Sequence, residues 1–243
     1  VLDILANFNW ERPIYFAITV GRDNFMGLEN YFQLEGLAYR LVPYETKSFD
    51  GQTGTVEVEK MYDRLVNNFN WGGFSNSDLY FDETNTRMVM NFRNNYSRLA
   101  EALHQDGDNV RAIKTLDKCM NEFPRETVNY SFFAIPIADV YFKAGAKEKG
   151  MNVLSEMSED FMKEYKFFSN FSDKQGVKQN LSISTQILAS LFRLIQSNNL
   201  YQSDFDYITE NDLFYKEKNN EKIEVSKSEF VINTFVDEFL SLQ

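Results

Sequence analysis

"NYSRLAEALHQDGDNVRAIKTLDKCMNEFP", residues 95–124, decides how this chain is read. Phe92, Tyr96, Leu99 and Leu103 step by four, three and four, and Ala112, Leu116, Cys119 and Phe123 repeat those steps. Apolar groups at such intervals share one face of an α-helix. Gly107 parts the two series and Pro124 closes the second, which predicts two amphipathic helices joined by a tight turn. A second stretch, "IADVYFKAGAKEKGMNVLSEM" at 137–157, is built the same way around Gly145. With the glycines aligned, Leu99 matches Ile137, Ala100 matches Ala138 and Leu103 matches Tyr141. Beyond the turn, Ala112 matches Gly150, Leu116 matches Leu154 and Cys119 matches Met157.

Small residues thus recur where paired helices must approach, and large ones where they interlock. This is the tetratricopeptide pattern. In the first copy Tyr96, Ala100, Gly107, Ala112, Leu116 and Pro124 fall at the spacing of the 34-residue unit. The second copy lies 38 residues on and lacks the closing proline, so the linker carries four extra residues. The expected fold is mainly α, with a small N-terminal α/β part and tetratricopeptide-like stacked helix hairpins, an α–α superhelix.

Upstream, residues 1–9 read as a short helix. "PIYFAITV" is a buried strand between Pro13 and Gly21, and "YFQLEGLAYRLVP" is a second, interrupted by Gly36. Residues 45–55 are a polar loop, and Val58, Met61, Leu65 and Phe69 fall at helical spacing. Downstream, Ile187, Leu188, Leu191, Phe192 and Ile195 mark a further buried helix. Residues 201–228 are polar, and "YKEKNNEKIEVSKSE" reads as mobile or exposed. Val231, Phe235, Phe239 and Leu242 form a last stripe, suited to capping a solenoid. The expected domains are 1–85, a small α/β segment with two or more strands, 86–160, two tetratricopeptide-like hairpins, and 161–243, further helices and a C-terminal cap.

Bulk composition narrows the function. The chain has 243 residues, 43% hydrophobic and 25% charged, with 23 Phe and 13 Tyr to supply a core. Its net charge of −11 opposes a phosphate backbone, so no nucleic-acid partner is expected. One cysteine and one histidine leave no intrachain disulfide, no multi-cysteine zinc site and no HExxH. A Ser-His-Asp or Cys-His site would have to use His104, which sits near a helix end beside Gln105 and Asp106, as a solvated or groove-lining residue does. Cys119 occupies a small-residue position and reads as packed, not reactive. No phosphate-cradling glycine motif occurs. With 36 acids, carboxylate pairs are common by chance, and the four Asn-x-Ser sites at Asn95, Asn129, Asn170 and Asn180 are close to what chance supplies and decide nothing. No catalytic residue, metal or cofactor is expected. The apolar runs fall short of the roughly 18 residues of a membrane span, so no direct membrane insertion is expected. "VLDILANFNWERP" has no basic start and apolar core, and reads as the interior of a longer chain.

The phrases "WERPIYFAITV" and "GLENYFQLEGLAYRLVP", followed by "MYDRL", "FNWGG" and "NFRNNYSRLAEAL", carry a resemblance. Over roughly residues 1–160 the chain resembles the soluble C-terminal region of large Bacteroidetes membrane proteins related to protein O-mannosyltransferases. Those proteins join a multi-pass, GT-C-like half to tetratricopeptide-like helices. The resemblance implies a domain tethered to the inner membrane, on its periplasmic side. It also implies that transfer chemistry belongs to acidic loop residues of the absent membrane half, so no catalytic residue carries over.

The leading expectation is a non-catalytic domain that holds a protein or peptide: an acceptor, another partner or its own membrane half. Helical geometry assigns groove-facing positions to Asn94, Ser97, Glu101 and His104 in the first hairpin, and to Phe132, Ile135, Asp139 and Lys143 in the second. The alternative is a carbohydrate-binding or enzymatic site at Trp10, Arg12, Tyr15 and Glu29, where aromatic and charged groups mix. The bland reading of those four is core packing and a structural ion pair.

Overall fold

The computed structural model describes residues 2–76, 78–171, 174, 176–202, 206–210, 213–219 and 221–242. Among them the fold is mainly helical with a small N-terminal sheet, as expected. The chain divides into two compact units, Val1–Asn129 and Tyr130–Gln243, so the two glycine-centred hairpins fall in different units.

The first unit opens with α1 (Leu2–Ala6), then β1 (Tyr15–Ala17), β2 (Phe32–Leu34), β3 (Ala38–Leu41) and β4 (Thr55–Val56). The sheet order is β1-β3-β2-β4; β3 is antiparallel to β1 and β2, and β4 is parallel to β2. The stretch expected as one interrupted strand is therefore a hairpin. Gly36 takes φ +93°, a left-handed conformation that turns the chain between β2 and β3. The strand expected over 13–20 is paired only at Tyr15–Ala17.

Alternation along the strands separates two faces. One carries Phe16, Phe32, Tyr39 and Leu41, packed with Phe25; the Phe25 and Phe32 rings meet edge-on at 5.0 Å, and Phe32 stacks on Tyr39 at 5.6 Å. The other carries Tyr15, Gln33 and Arg40, in register across the strands, and the chain leaving β2 adds Glu35 to that side.

Next comes α2 (Val58–Tyr62), which continues into a π-helical turn, Asp63–Asn68. Helix α3 (Glu83–Gln105) is capped by the Asp82 carboxylate on the Asn85 amide, and α4 (Asn109–Glu122) by Asp108 on Arg111. Helix α3 is covered on more than its apolar stripe: Arg93, Asn95, Ser97 and Arg98 are buried along with Phe92, Tyr96, Leu99 and Ala100. The Arg93 guanidinium donates to the carbonyls of Phe123, Pro124, Val128 and Asn129 at 2.8, 3.2, 2.6 and 3.0 Å, fixing the chain that leaves α4.

In the second unit a 3₁₀ turn at Phe132–Ala134 leads into α5 (Ile135–Lys143), with Pro136 in its first turn, where a missing N–H costs nothing. Helix α6 (Lys147–Ser169) packs on α5, on α7 (Val177–Ser197) and on α8 (Lys227–Ser241). Between α7 and α8 lies an antiparallel meander of β5 (Asp206–Glu210), β6 (Leu213–Lys218) and β7 (Glu221–Val225). The polar stretch read as mobile or exposed thus forms a sheet. Glu217 faces Lys222, Lys218 faces Glu221, and the Phe214 ring rests on Phe230 of α8 at 4.9 Å. On α8 the buried stripe is Ile232, Phe235, Val236 and Phe239, whereas Leu242 is exposed, so the expected stripe is rotated towards Ile232.

The two hairpins share one turn. Asp108 N–H donates to the Leu103 carbonyl at 2.8 Å and Gly107 N–H to His104 at 2.9 Å. Ala146 and Gly145 repeat this to Tyr141 and Phe142 at 2.8 and 3.1 Å. Gly107 and Gly145 take φ of +82° and +88°, the left-handed residue of a Schellman ending. All twelve residues of the six aligned pairs are buried. At Gly150 an added Cβ would come within 2.8 Å of the Phe142 ring, so α5 and α6 meet where only hydrogen fits.

Candidate functional site

Two polar constellations stand out in the first unit. The first lies on α3. Asn94 and Gln52 exchange amide hydrogen bonds, Asn94 Nδ2 donating at 2.8 Å and Gln52 Nε2 at 3.3 Å. One turn further along, Arg98 Nε donates to Asp50 at 2.6 Å, while its two amino groups reach the carbonyls of Thr53 and Gly54 at 3.1 and 2.6 Å. The helix thus grips residues 50–54 largely through backbone and short polar groups. Gly54 permits this at φ +77°, where an added Cβ would sit 2.8 Å from Tyr39. Burial works to raise the Asp50 carboxyl, but the Ser48 hydroxyl, the Arg98 charge and the Gln52 amide outweigh it and hold it below its ordinary value.

Beside this clasp is a cavity of about 280 Å³. Val56, Val58 and Ala102 form apolar wall, Glu101, Gln105 and Asp106 line the α3 side, and Phe49 stands at the edge, 88% exposed.

The second constellation surrounds Glu35, whose side chain is fully buried. Its carboxylate meets Lys60 at 3.0 Å, Arg64 at 3.2 Å and Arg40 at 3.5 Å, and accepts from the Tyr15 hydroxyl at 2.9 Å. Arg64 also donates to the Glu35 carbonyl at 2.7 Å and lies over the Tyr15 ring at 5.8 Å. Burial alone would raise the Glu35 carboxyl; hydrogen bonds from Lys60 and Tyr15 and the charges of Lys60 and Arg64 overcome that and depress it. Arg64 also donates to the Tyr15 hydroxyl at 3.5 Å, and that bond, followed by the Tyr15 and Glu35 charges, pushes Arg64 up.

The expected groove positions fall as follows. Asn94 holds Gln52; Ser97 is buried and donates to the Asn94 carbonyl at 3.0 Å; Glu101 accepts from Gln105 at 3.2 Å and lines the cavity; His104 Nδ1 lies 2.7 Å from Asn109 Oδ1. In the second unit Phe132 is 55% exposed, Ile135 is half-buried, and Asp139 pairs with Lys143 one turn on at 2.9 Å. Of the alternative set, Trp10 is 45% exposed and packs edge-on against Phe8, and Arg12 is exposed. Tyr15 belongs to the Glu35 constellation, whereas Glu29 lines a separate depression with Arg22 and Thr46.

Sequence reading missed Asp50, Gln52, Arg98, Glu35, Lys60 and Arg64. One signal was present: Arg93 and Arg98 interrupt the apolar run of α3, and a charge inside a core stripe needs a dedicated partner. The mates, 42 to 48 residues away in the chain for Asn94 and Arg98, carry no such signal. Among the described residues, no group of three or more His, Cys, Asp or Glu is placed to hold a metal ion.

Residues 1–60 match a family model described as TMEM260-associated domain 2, a domain of a membrane-protein family. The matched segment contains the whole four-stranded sheet, with Tyr15, Glu35, Arg40 and Lys60. No curated protein and no solved structure matches the chain. Among the described residues, no helix is long and apolar enough to cross a membrane.

Proposed function

We propose that this chain is a non-catalytic partner-holding domain of a membrane-bound, glycosyltransferase-like protein, and that what it holds is a protein or peptide acceptor. The observation that carries the reading is the clasp on α3. There a helix face grips a bent stretch of the chain's own polypeptide through two backbone carbonyls, one amide pair and the Asp50 carboxylate. Such contacts tolerate many side chains, which suits a domain serving varied acceptors. In the first unit Glu101, bordering the open cavity, extends that face, with His104 one turn further along. In the second unit Phe132 and Ile135 offer apolar contact, and Asp139 and Lys143 a charged pair. The match of residues 1–60 to a domain of a membrane-protein family supports the membrane context. Within that reading the domain lies on the periplasmic side, tethered through a membrane region outside this sequence, and uses neither cofactor nor nucleic acid.

The test is transfer by the parent protein to a folded acceptor and to a minimal peptide too short to be held along the helix face. Glu101→Ala with Phe132→Ala lowers transfer to the folded acceptor by about tenfold, the scale of one or two interface anchors, and leaves the peptide untouched. Equal rates on both acceptors would sink the proposal.

A second reading, a carbohydrate-binding or enzymatic site at Trp10, Arg12, Tyr15 and Glu29, is favoured by the half-exposed rings of Trp10 and Tyr15. A glycan array separates the two readings: sugar binding abolished by Trp10→Ala and Tyr15→Ala supports the second.

A further inference from the structure

We propose that the C-terminal tip of α6 docks on the surface of an anionic lipid bilayer. Three phenylalanines gather there. The Phe167 ring packs against Phe168 at 5.4 Å and Phe171 at 5.2 Å, yet Phe167 is 58% and Phe171 38% exposed. Rings that cluster with one another and still face water form a patch that isolated surface residues do not make.

What covers the patch is argued from charge. Lys163 lies one helical turn before Phe167 on the same face. The Lys174 ammonium sits over the Phe171 ring at 4.8 Å, and Lys178 follows in the first turn of α7. Lys166 is paired with Glu238 at 2.7 Å, and the remaining lysines of 163–178, Lys163, Lys174 and Lys178, outnumber Glu164 and Asp173, a local excess of positive charge in a chain of net charge −11. A generic protein partner would select the rings without requiring that reversal of sign. A bilayer selects both: aromatic rings settle at the headgroup level and lysines meet anionic lipid. No helix among the described residues is built to cross a membrane, so the mode is interfacial, with the rings at the boundary and the lysine stems reaching past them.

The inference does not depend on the partner-holding reading, since it concerns other residues and a different partner. The test is flotation of the 243-residue chain with vesicles of phosphatidylglycerol and phosphatidylcholine in equal parts, and with phosphatidylcholine alone. The expected result is binding to the mixed vesicles that weakens with salt. Phe167→Ser with Phe171→Ser lowers it by about tenfold or more. Lys163→Gln, Lys174→Gln and Lys178→Gln together abolish the preference for the anionic lipid. All these side chains are exposed, so folding is preserved, and unchanged circular dichroism verifies it. As a second measurement, a solvatochromic dye on Phe167→Cys shifts to the blue with mixed vesicles, because Cys119 is buried and stays unlabelled. Three outcomes would overturn the proposal: no vesicle binding, binding indifferent to the phenylalanine changes, or a dimer that those changes dissolve.

Discussion

Replacing Glu35 by Gln tests whether the carboxylate organises the first unit. The buried group is met by three cations and the Tyr15 hydroxyl, and glutamine keeps its shape while removing its charge. Deleting one partner of a fully buried ion pair costs roughly 3–5 kcal/mol. Arg40, Lys60 and Arg64 keep 36%, 44% and 33% of their side-chain surface in water, which repays part of the loss when they are left without the carboxylate. The expected destabilisation at neutral pH is therefore about 2 kcal/mol. Urea unfolding followed by tryptophan fluorescence reads it, because both tryptophans, Trp10 and Trp71, belong to the first unit. A Trp10→Phe background leaves the buried Trp71 as sole reporter. The pH dependence has a definite sign. The folded carboxyl lies below its ordinary value of 4.5, so the native state resists protonation more than the unfolded chain does. Its contribution is complete above the unfolded value and disappears as pH falls through the folded one. The gap between parent and variant must then close in acid. A gap under about 0.5 kcal/mol at pH 7, or one that persists unchanged in acid, would refute the role given to Glu35.

Other residues are tested more briefly. Gly150→Leu forces a side chain into the Phe142 ring and should cost about 1–3 kcal/mol, read as a lowered midpoint of helical circular dichroism. Cys119 is fully buried and its thiol is pushed up to about 12, so thiol reagents at pH 8 should label it only as fast as the first unit opens. Arg98→Met frees residues 50–54 from α3 and should speed proteolytic cleavage there several-fold, whereas Lys118→Met, on the same unit but in a helical surface pair, should not. Expression of 61–129 alone should yield a chain without a cooperative transition, while 2–129 unfolds cooperatively by the same measure.

Helices were legible because their signals are local. The 4-3-4 steps and the glycines at 107 and 145 act within a few residues, and the six aligned pairs are buried together. Strands were half legible. β-branched and aromatic composition marked 13–20 and 31–43, but Gly36 reads equally as a defect in one strand or as the turn between two. Only the pairing of Gln33 with Arg40 and Leu34 with Tyr39 decides it. The meander at 206–225 escaped because its strands carry charges where apolar alternation is expected; they pair through cross-strand opposites such as Glu217 with Lys222. Expected groove residues were assigned by helical phase alone, and phase does not say which part of a face the chain itself will cover. Asn94 and Ser97 were placed on a face, but Gln52, which reaches Asn94 from 42 residues away, has no local mark.

Helix α3 shows why that covering matters. Its apolar stripe closes on α4 in the way any helical hairpin would. The opposite flank is polar and yet buried: Asn95 donates to the Gly36 carbonyl at 3.1 Å, and Arg98 is spent on Asp50, Thr53 and Gly54. Without the sheet and its loop, those groups return to water. With them, each group exchanges its water contacts for hydrogen bonds inside the fold, which offset the cost of its burial. A cut between sheet and helices, at residue 85 or 60, would therefore divide one core instead of separating two domains. The segment 1–60, matched as a domain on its own, thus has in this chain a flank of α3 built to receive it. In the proposed partner-holding role, that flank is already occupied by the chain itself, and the part of the α3 face left for a partner lies beyond residue 98, at Glu101, Gln105 and Asp106.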